Sequence, residues 1–112
     1  MLKHLFLNKN KKSGWLRVKL ESKRKVKKVK LLNRSDCCND RLKNAKVYVR
    51  DGKKRYLCGK VVSDKKGWHT INCENRPVGD VIEVTKSGDY LTLCGMKIND
   101  YDVATVKSAS QT

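Results

Sequence analysis

The stretch NRSDCCNDRL places two arginines and an aspartate around a pair of adjacent cysteines. The arginines, Arg34 and Arg41, offer only hydrogen-bond donors, arranged in a planar fork that suits the hydroxyls and ring oxygen of a sugar. Asp36 can orient a guanidinium through a charge-assisted pair. These residue types predict a polar binding loop. The alternative, equally open from the residues alone, is a salt-bridged turn whose cysteines pair elsewhere.

The adjacency of Cys37 and Cys38 is a second chemical signal in this stretch. Neighbouring Cα atoms lie about 3.8 Å apart, whereas an ordinary disulfide joins Cα atoms roughly 4.4–6.8 Å apart. A bond between these two cysteines is therefore strained, and strain of this kind persists mostly where function uses it. The loop follows a predicted strand that ends at Leu32, a position where a β-sandwich exposes its binding loops.

Charge is the strongest feature of the whole composition. The chain has 112 residues and a formal net charge of +16, and the run from 9 to 30 holds eleven Lys or Arg against one acid, Glu21. Such a surface attracts polyanions, including sulfated glycans and nucleic acid. The alternative is a solvated lysine-rich face, because lysines without interleaved arginines and aromatics are a weak nucleic-acid signal.

The strands that must position this loop are visible as a period of two residues. In WLRVKL, apolar side chains occupy one face and Trp15, Arg17 and Lys19 the other; NAKVYVRDG alternates in the same way before a turn at Asp51 and Gly52. The predicted core contains Leu16, Val18, Leu20, Val47, Val49, Leu91 and Leu93.

Further short strands follow in regular succession. They are predicted from about Arg55 to Val62, in WHTINC, in DVIEVT and in YLTLCGMKI, whereas residues 101–112 are expected to form a C-terminal tail. Short strands separated by Gly- and Asp-rich turns predict an all-β, jelly-roll-like β-sandwich. One small domain accounts for a chain of this length.

Several function classes find no support in the sequence. No nucleophile–base pair, phosphate-binding loop or metalloprotease motif is present, so the chain is not expected to be an enzyme. The cysteine spacings lack a zinc pattern, and His4 and His69 are expected at the surface or in structural roles. No apolar run reaches the length of a membrane span or of a signal-peptide core. Five cysteines nevertheless indicate an extracellular disulfide framework with one cysteine left over.

The same motifs, taken together, resemble the F-type lectins, the eel fucolectin family of fucose-binding sandwich domains. The resemblance rests on motifs that keep the family's order from Trp15 to about Ile98: WLRVKL, NRSDCCNDRL, LCG, INC, VGDVIEV and LTLC. It implies a galactose-binding-like (discoidin-like) jelly roll. Residues 1–100 would be a partial copy of the domain that lacks the first strands and is truncated at its N-terminal side.

The resemblance also assigns roles at the matching positions. Arg34 and Arg41 would donate hydrogen bonds to the sugar and Asp36 would orient them, while His4 would take the place of the family's binding histidine. Cys37 and Cys38 would form a vicinal disulfide whose apolar ridge packs on the sugar.

The remaining cysteines also have counterparts in the family. Cys58 and Cys73 would form the second disulfide, and Cys94 would be the free thiol. Gly95 stands where the family has a calcium-ligating glutamate, so calcium, which the family uses, is not expected here.

The sequence therefore gives two competing functions. One is a secreted, non-enzymatic lectin module for fucosylated glycans; the other is a basic β-domain that binds polyanions such as heparan-like glycans or nucleic acid. A third expectation is a remnant that no longer folds stably alone. Unpaired strand edges and the free thiol of Cys94 also predict homo-oligomers.

Overall fold

A computed structural model shows an all-β chain of two antiparallel sheets stacked as a sandwich. It describes residues 2–8, 13–33, 42–63, 65–87, 92–99 and 101–110, with side chains for 14–20, 22–33, 42–63, 65–86 and 95–99. The fold class predicted from the alternation of apolar and polar residues is confirmed.

The chain contributes strands to both sheets in turn. A five-stranded sheet has the order β1-β2-β7-β4-β5 and a four-stranded sheet the order β6-β3-β8-β9. The strands are β1 (Leu2–Asn8), β2 (Ser13–Lys25), β3 (Lys28–Asn33), β4 (Lys46–Asp51), β5 (Lys54–Lys60), β6 (Gly67–Asn72), β7 (Val78–Ser87), β8 (Thr92–Ile98) and β9 (Tyr101–Ser110).

The core lies between the sheets and is built from rows of aligned apolar residues. In the five-stranded sheet, Val84 lies between Leu16 and Val47 in register, and the next inward row places Ile82 between Val18 and Val49. All six side chains are at most 1% exposed. The other sheet contributes Val29, Leu31, Ile71, Met96 and Ile98.

Five of the seven predicted core residues are therefore confirmed. Leu16, Val18, Leu20, Val47 and Val49 are buried. The side chains of the other two, Leu91 and Leu93, lie outside the described residues.

Two glycines show where the sheet tolerates no side chain or needs an unusual backbone. Gly52, at φ +60°, turns β4 into β5 as its Asp-Gly sequence predicts, because a two-residue hairpin turn needs positive φ. At Gly79 a Cβ atom would collide with the backbone carbonyl oxygen of Arg50. The start of β7 thus packs directly on the end of β4.

The strand pattern misses two of the four edge strands in the described part of the chain, β1 and β9. β1 pairs with β2 at one edge, although its short apolar segment predicts no strand. Residues 101–112 are expected as a tail, whereas Tyr101–Ser110 forms β9 and pairs with β8. The expectation is wrong for this segment because backbone pairing with a neighbouring strand can recruit a sequence whose own alternation is weak.

Candidate functional site

The predicted sugar-binding residues fall mostly where the structure gives no description. Arg34, Asp36, Cys37, Cys38 and Arg41 lie outside the described residues, so their contacts, and the proposed vicinal disulfide, stay predictions.

His4 is described as backbone only. It lies in β1 opposite Lys19, whereas Asn8, four residues further on, lies opposite Trp15. Four residues of a strand span roughly 13 Å. His4 is therefore that far along the sheet from the end at which β4 begins.

The N-terminal anchor of the segment 34–41 is well defined. Asn33, the last residue of β3, is only 2% exposed. Its side-chain amide donates a 3.0 Å hydrogen bond to the carbonyl oxygen of Lys65. Nε2 of His69 lies 2.6 Å from the same oxygen and so donates to it, which gives His69 a structural role. A buried, bonded asparagine fixes the direction in which the chain leaves the sheet.

The C-terminal anchor is also buried. Leu42 is fully buried, and its carbonyl accepts a hydrogen bond from the amide of Ala45. Asn44 has a left-handed backbone at φ +72°, and its amide donates a 2.8 Å bond to Val61, while the amide of Val61 donates one to Ala45. Asparagine tolerates this backbone better than most residues. The residues that flank the segment on both sides are thus attached to the core.

The disulfide between Cys58 and Cys73 confirms one pairing that the resemblance implied. The sulfur atoms are bonded, and the two Cα atoms lie 4.3 Å apart. Cys58 belongs to β5, the edge of one sheet, and Cys73 follows β6, the edge of the other. The bond therefore joins the two sheets along one side of the sandwich. Cys94 lies in β8, and its side chain is outside the described residues.

The outer face of the five-stranded sheet carries an ion-pair cluster that sequence reasoning does not assemble. Glu83 has a side chain only 3% exposed. Its carboxylate accepts hydrogen bonds from Nε of Arg17 at 2.5 Å and Nη1 of Arg50 at 3.2 Å, and Nε of Arg55 lies 3.2 Å from its second oxygen. These four residues, the Glu83 cluster, come from β7, β2, β4 and β5. Three guanidinium groups thus share one carboxylate.

Aromatic rings cover two of these arginines. The guanidinium of Arg55 lies 3.6 Å from the ring centroid of Tyr48, and that of Arg17 lies 4.7 Å from the centroid of Trp15. Cation–π contact of this kind holds both the ring and the cation in place. The two rings consequently have fixed positions on the outer face.

A shallow pocket of about 200 Å³ opens beside these rings. We call it the sheet-face pocket. Its lining includes Trp15, Asn44, Lys46, Tyr48, Thr85 and Lys86.

The strand register explains the shape of the pocket. Thr85 lies between Trp15 and Lys46 on adjacent strands, so a small side chain is flanked by two long ones. Directly opposed residues project on the same face of a sheet. The result is a concave site with Thr85 between its walls.

Two further ion pairs each shift the pKa of one of their members. Nζ of Lys19 contacts Oδ2 of Asp80. The hydrogen bond from Lys19, and the charge of that lysine, hold the pKa of the Asp80 carboxyl below its ordinary value of 3.8. Asp51 pairs with Lys23 at 2.7 Å, and this hydrogen bond raises the pKa of Lys23.

The alternation in the sequence does place Trp15, Arg17, Tyr48 and Arg50 on outward faces. It does not show that β2, β7 and β4 are neighbours in the sheet, because this order is set by contacts between residues that are far apart in the chain. Glu83 carries a weak signal of its own, since it is the single acid within the apolar run VIEV.

Comparison with known families identifies the class of this domain. Residues 5–84 match the NedA-like, galactose-binding domain family. The match covers most of the chain, and the chain belongs to this family. No curated protein shows significant sequence similarity to it.

Solved structures with this fold include carbohydrate-binding modules. A Streptococcus pneumoniae fucose binding module, SpX-3, superposes with a TM-score of 0.67 at 19% identity, covering 88% of this chain and 73% of that one. A histidine mutant of the lectin binding domain of Lectinolysin, complexed with Lewis b, gives 0.65 at 21% identity, covering 79% and 65%. A further S. pneumoniae fucose binding module gives 0.60 at 23% identity, covering 76% and 62%.

These likenesses establish the fold. The chain spans between three fifths and three quarters of the length of these structures. Across the described ranges there is no helix with the length and apolar character to cross a membrane.

Proposed function

We propose that the protein is a non-enzymatic lectin module that recognises fucose-type sugars through the segment 34–41. In this proposal Arg34 and Arg41 donate hydrogen bonds to the sugar, and Asp36 orients them. The disulfide of Cys37 and Cys38 provides an apolar surface for the ring. His4 is the further candidate contact, and the F-type lectins are the relatives that the motif favours.

The observation that carries the proposal is the buried anchoring of both ends of this segment. Asn33 on one side and Leu42 on the other are fixed to the core, so the scaffold on both sides of the segment is rigid. Binding loops on a rigid scaffold lose less conformational entropy when a ligand arrives. The family membership and the fucose-binding neighbours point to the same ligand class.

The proposal predicts that fucose binding depends on the planar guanidinium of Arg41. Methyl fucoside should bind the oxidised protein with a dissociation constant of about 1 mM. Arg41→Lys should weaken this binding by roughly 1.5–3 kcal/mol, because lysine keeps the charge and loses the donor fork. Calorimetry at two salt concentrations measures the effect, with Arg76→Lys in an exposed turn as the matched control.

The outcomes separate the candidate functions. Recognition of a neutral sugar should change little with salt, whereas binding of a polyanion should fall steeply through counterion release. Equal fucose affinity in wild type and Arg41→Lys would refute the arginine assignment. Absence of fucose binding with salt-sensitive heparin binding in all three proteins would favour the polyanion function instead.

The cysteine assignment has an independent test. Mass mapping of oxidised protein should recover Cys37 linked to Cys38 in a single peptide and Cys94 as a free thiol. A peptide that links Cys37 to Cys94 would contradict the vicinal disulfide. It would leave the pairing of Cys58 with Cys73 intact.

A further inference from the structure

We propose that the sheet-face pocket is a second sugar-binding site, and that its ligand is a single anionic pyranose bearing a carboxylate or a sulfate. The site lies on the outer face of the five-stranded sheet. Its residues do not overlap with the segment 34–41, so this proposal can be tested independently of fucose recognition.

The chemistry of the lining indicates this ligand class. Trp15 and Tyr48 line the pocket with aromatic rings that can contact the C–H groups of a pyranose, and the Thr85 hydroxyl and Asn44 side-chain amide can bond to ring hydroxyls. Small-molecule sites typically combine apolar and aromatic walls with a few placed polar groups. A sugar ring, which has one apolar side and a hydroxyl-bearing rim, matches both kinds of group.

The charges of the site specify an anion. Lys46 and Lys86 line the pocket, and no acid is among the described residues that do so. Lys46 is exposed and makes no ion pair with any described carboxylate. A negatively charged substituent placed near Lys46 would therefore gain a charge-assisted hydrogen bond.

Among the described side chains, the acids elsewhere on this face do not cancel that field. Glu83 is shared among three arginines, so the Glu83 cluster has excess positive charge. Asp80 and Asp51 are each paired with a lysine, Lys19 and Lys23. The surroundings of the pocket are consequently positive, and an anion approaching it is attracted.

The size of the pocket restricts the ligand to one ring. At about 200 Å³, it is smaller than the roughly 300–1,000 Å³ of sites for drug-sized molecules. A nucleotide, with a base, a ribose and a phosphate, exceeds that space. A single pyranose of a longer glycan does not.

The backbone of the rim is preorganised for this role. Asn44 holds its left-handed conformation through the hydrogen bond to Val61, and Trp15 is held by Arg17. Little order must be gained when a ligand binds such groups. Asn44→Gly removes the side-chain amide, and glycine readily adopts the left-handed backbone. Asn44→Asp instead adds a negative charge at the rim of the pocket.

The direct test uses Trp15 as a reporter. The chain has two tryptophans, and Trp68→Phe leaves Trp15 as the only one. Trp68 is 44% exposed, so this change should be tolerated. Methyl glucuronide, galactose 6-sulfate and neutral methyl glucoside are titrated against the fluorescence of this variant. At least one anionic sugar should bind about tenfold tighter than the neutral sugar. Comparison of the two anionic sugars identifies carboxylate or sulfate as the preferred group.

Lys60→Ala provides the matched control for Lys46→Ala. Lys60 lies opposite Lys46 on β5, is also exposed and carries the same charge, yet it does not line the pocket. We expect Lys46→Ala to weaken binding about tenfold and Lys60→Ala to weaken it less than about twofold. Asn44→Asp should weaken binding more than Asn44→Gly. Thermal unfolding of each variant verifies that the fold is retained.

Three results would overturn the proposal. Equal losses in Lys46→Ala and Lys60→Ala would show a diffuse cationic surface without a defined site. Equal affinity for charged and neutral sugars would contradict the role of charge. Tighter binding of adenosine monophosphate than of either anionic sugar would assign the pocket to a nucleotide. Arg41→Lys should leave glucuronide or sulfate binding unchanged, which separates this site from the fucose site.

Discussion

The two faces of β2, β7 and β4 are built from the same three strands and follow opposite principles. On the inner face, aliphatic side chains form rows such as Leu16, Val84 and Val47. On the outer face, the adjacent row contains Arg17, Glu83 and Tyr48. Each residue of one face is followed in the chain by a residue of the other, because side chains alternate along a strand.

The difference lies in what holds each row together. The inner row gains stability from the removal of apolar surface from water, which requires only approximate shape and no particular partner. The outer row depends on matched charges, since Glu83 is buried and its negative charge is neutralised by the arginines beside it. The inner face should therefore be sensitive to volume, and the outer face to charge.

The largest expected effect comes from a volume change on the inner face. Ile82 is fully buried between Val18 and Val49, so Ile82→Ala should reduce the free energy of unfolding by about 3–4 kcal/mol. Urea denaturation measures the loss. Val81→Ala, one residue away on the outer face and half-buried, should cost less than about 1 kcal/mol. Equal losses at the two positions would contradict the assignment of faces.

An intermediate effect is expected from a charge change at constant shape on the outer face. Glu83→Gln should reduce the free energy of unfolding by about 2 kcal/mol, because the hydrogen bonds from Arg17 and Arg50 and the ion pair with Arg55 lose their charged partner. The arginines are partly exposed, at 27–44% of their side-chain surface, so water replaces part of the lost interaction. Glu74→Gln, at an exposed position, should change the free energy of unfolding very little. A loss at Glu74 as large as that at Glu83 would indicate a general effect of net charge.

The smallest effect concerns the dependence of stability on pH. Pairing with Lys19 lowers the pKa of Asp80 in the folded state below 3.8, so its contribution is complete above that pH and is lost as the pH falls through the folded pKa. Asp80→Asn should cost about 0.5–1 kcal/mol at pH 7. The difference from wild type should vanish in strongly acidic solution.

Unfolding by urea at a series of pH values measures this difference. Asp51→Asn, which removes the more exposed pair with Lys23, should have a smaller effect at pH 7. A difference between Asp80→Asn and wild type that persists at the lowest pH would contradict a contribution from the ionised carboxylate.

The fold was largely predictable because burial leaves a period-two signature. WLRVKL and KVYVRD alternate cleanly, and their apolar residues are in the core. The Asp-Gly turn is where its chemistry requires it. Of the edge strands, β5 and β6 were predicted, whereas β1 and β9 were not, because the side chains of β1 and β9 alternate only weakly and backbone pairing with the neighbouring strand helps to specify them.

The sites divide in a similar way. Arg34, Asp36 and Arg41 are predicted from local spacing and stay a prediction, whereas the disulfide of Cys58 and Cys73, implied by resemblance to a family, is confirmed. The Glu83 cluster draws its members from four strands, and residues 17 and 83 become neighbours only through the sheet order. Local patterns carry no information about such long-range pairing.

The position of Glu83 also constrains which incorrect structures the chain can form. A slip of β7 by one residue would turn every side chain of that strand to the opposite face. Glu83 would then enter the apolar layer without its arginines, at a cost of several kcal/mol for an unpaired buried charge. The carboxylate therefore disfavours a shifted register of β7 against β2 and β4.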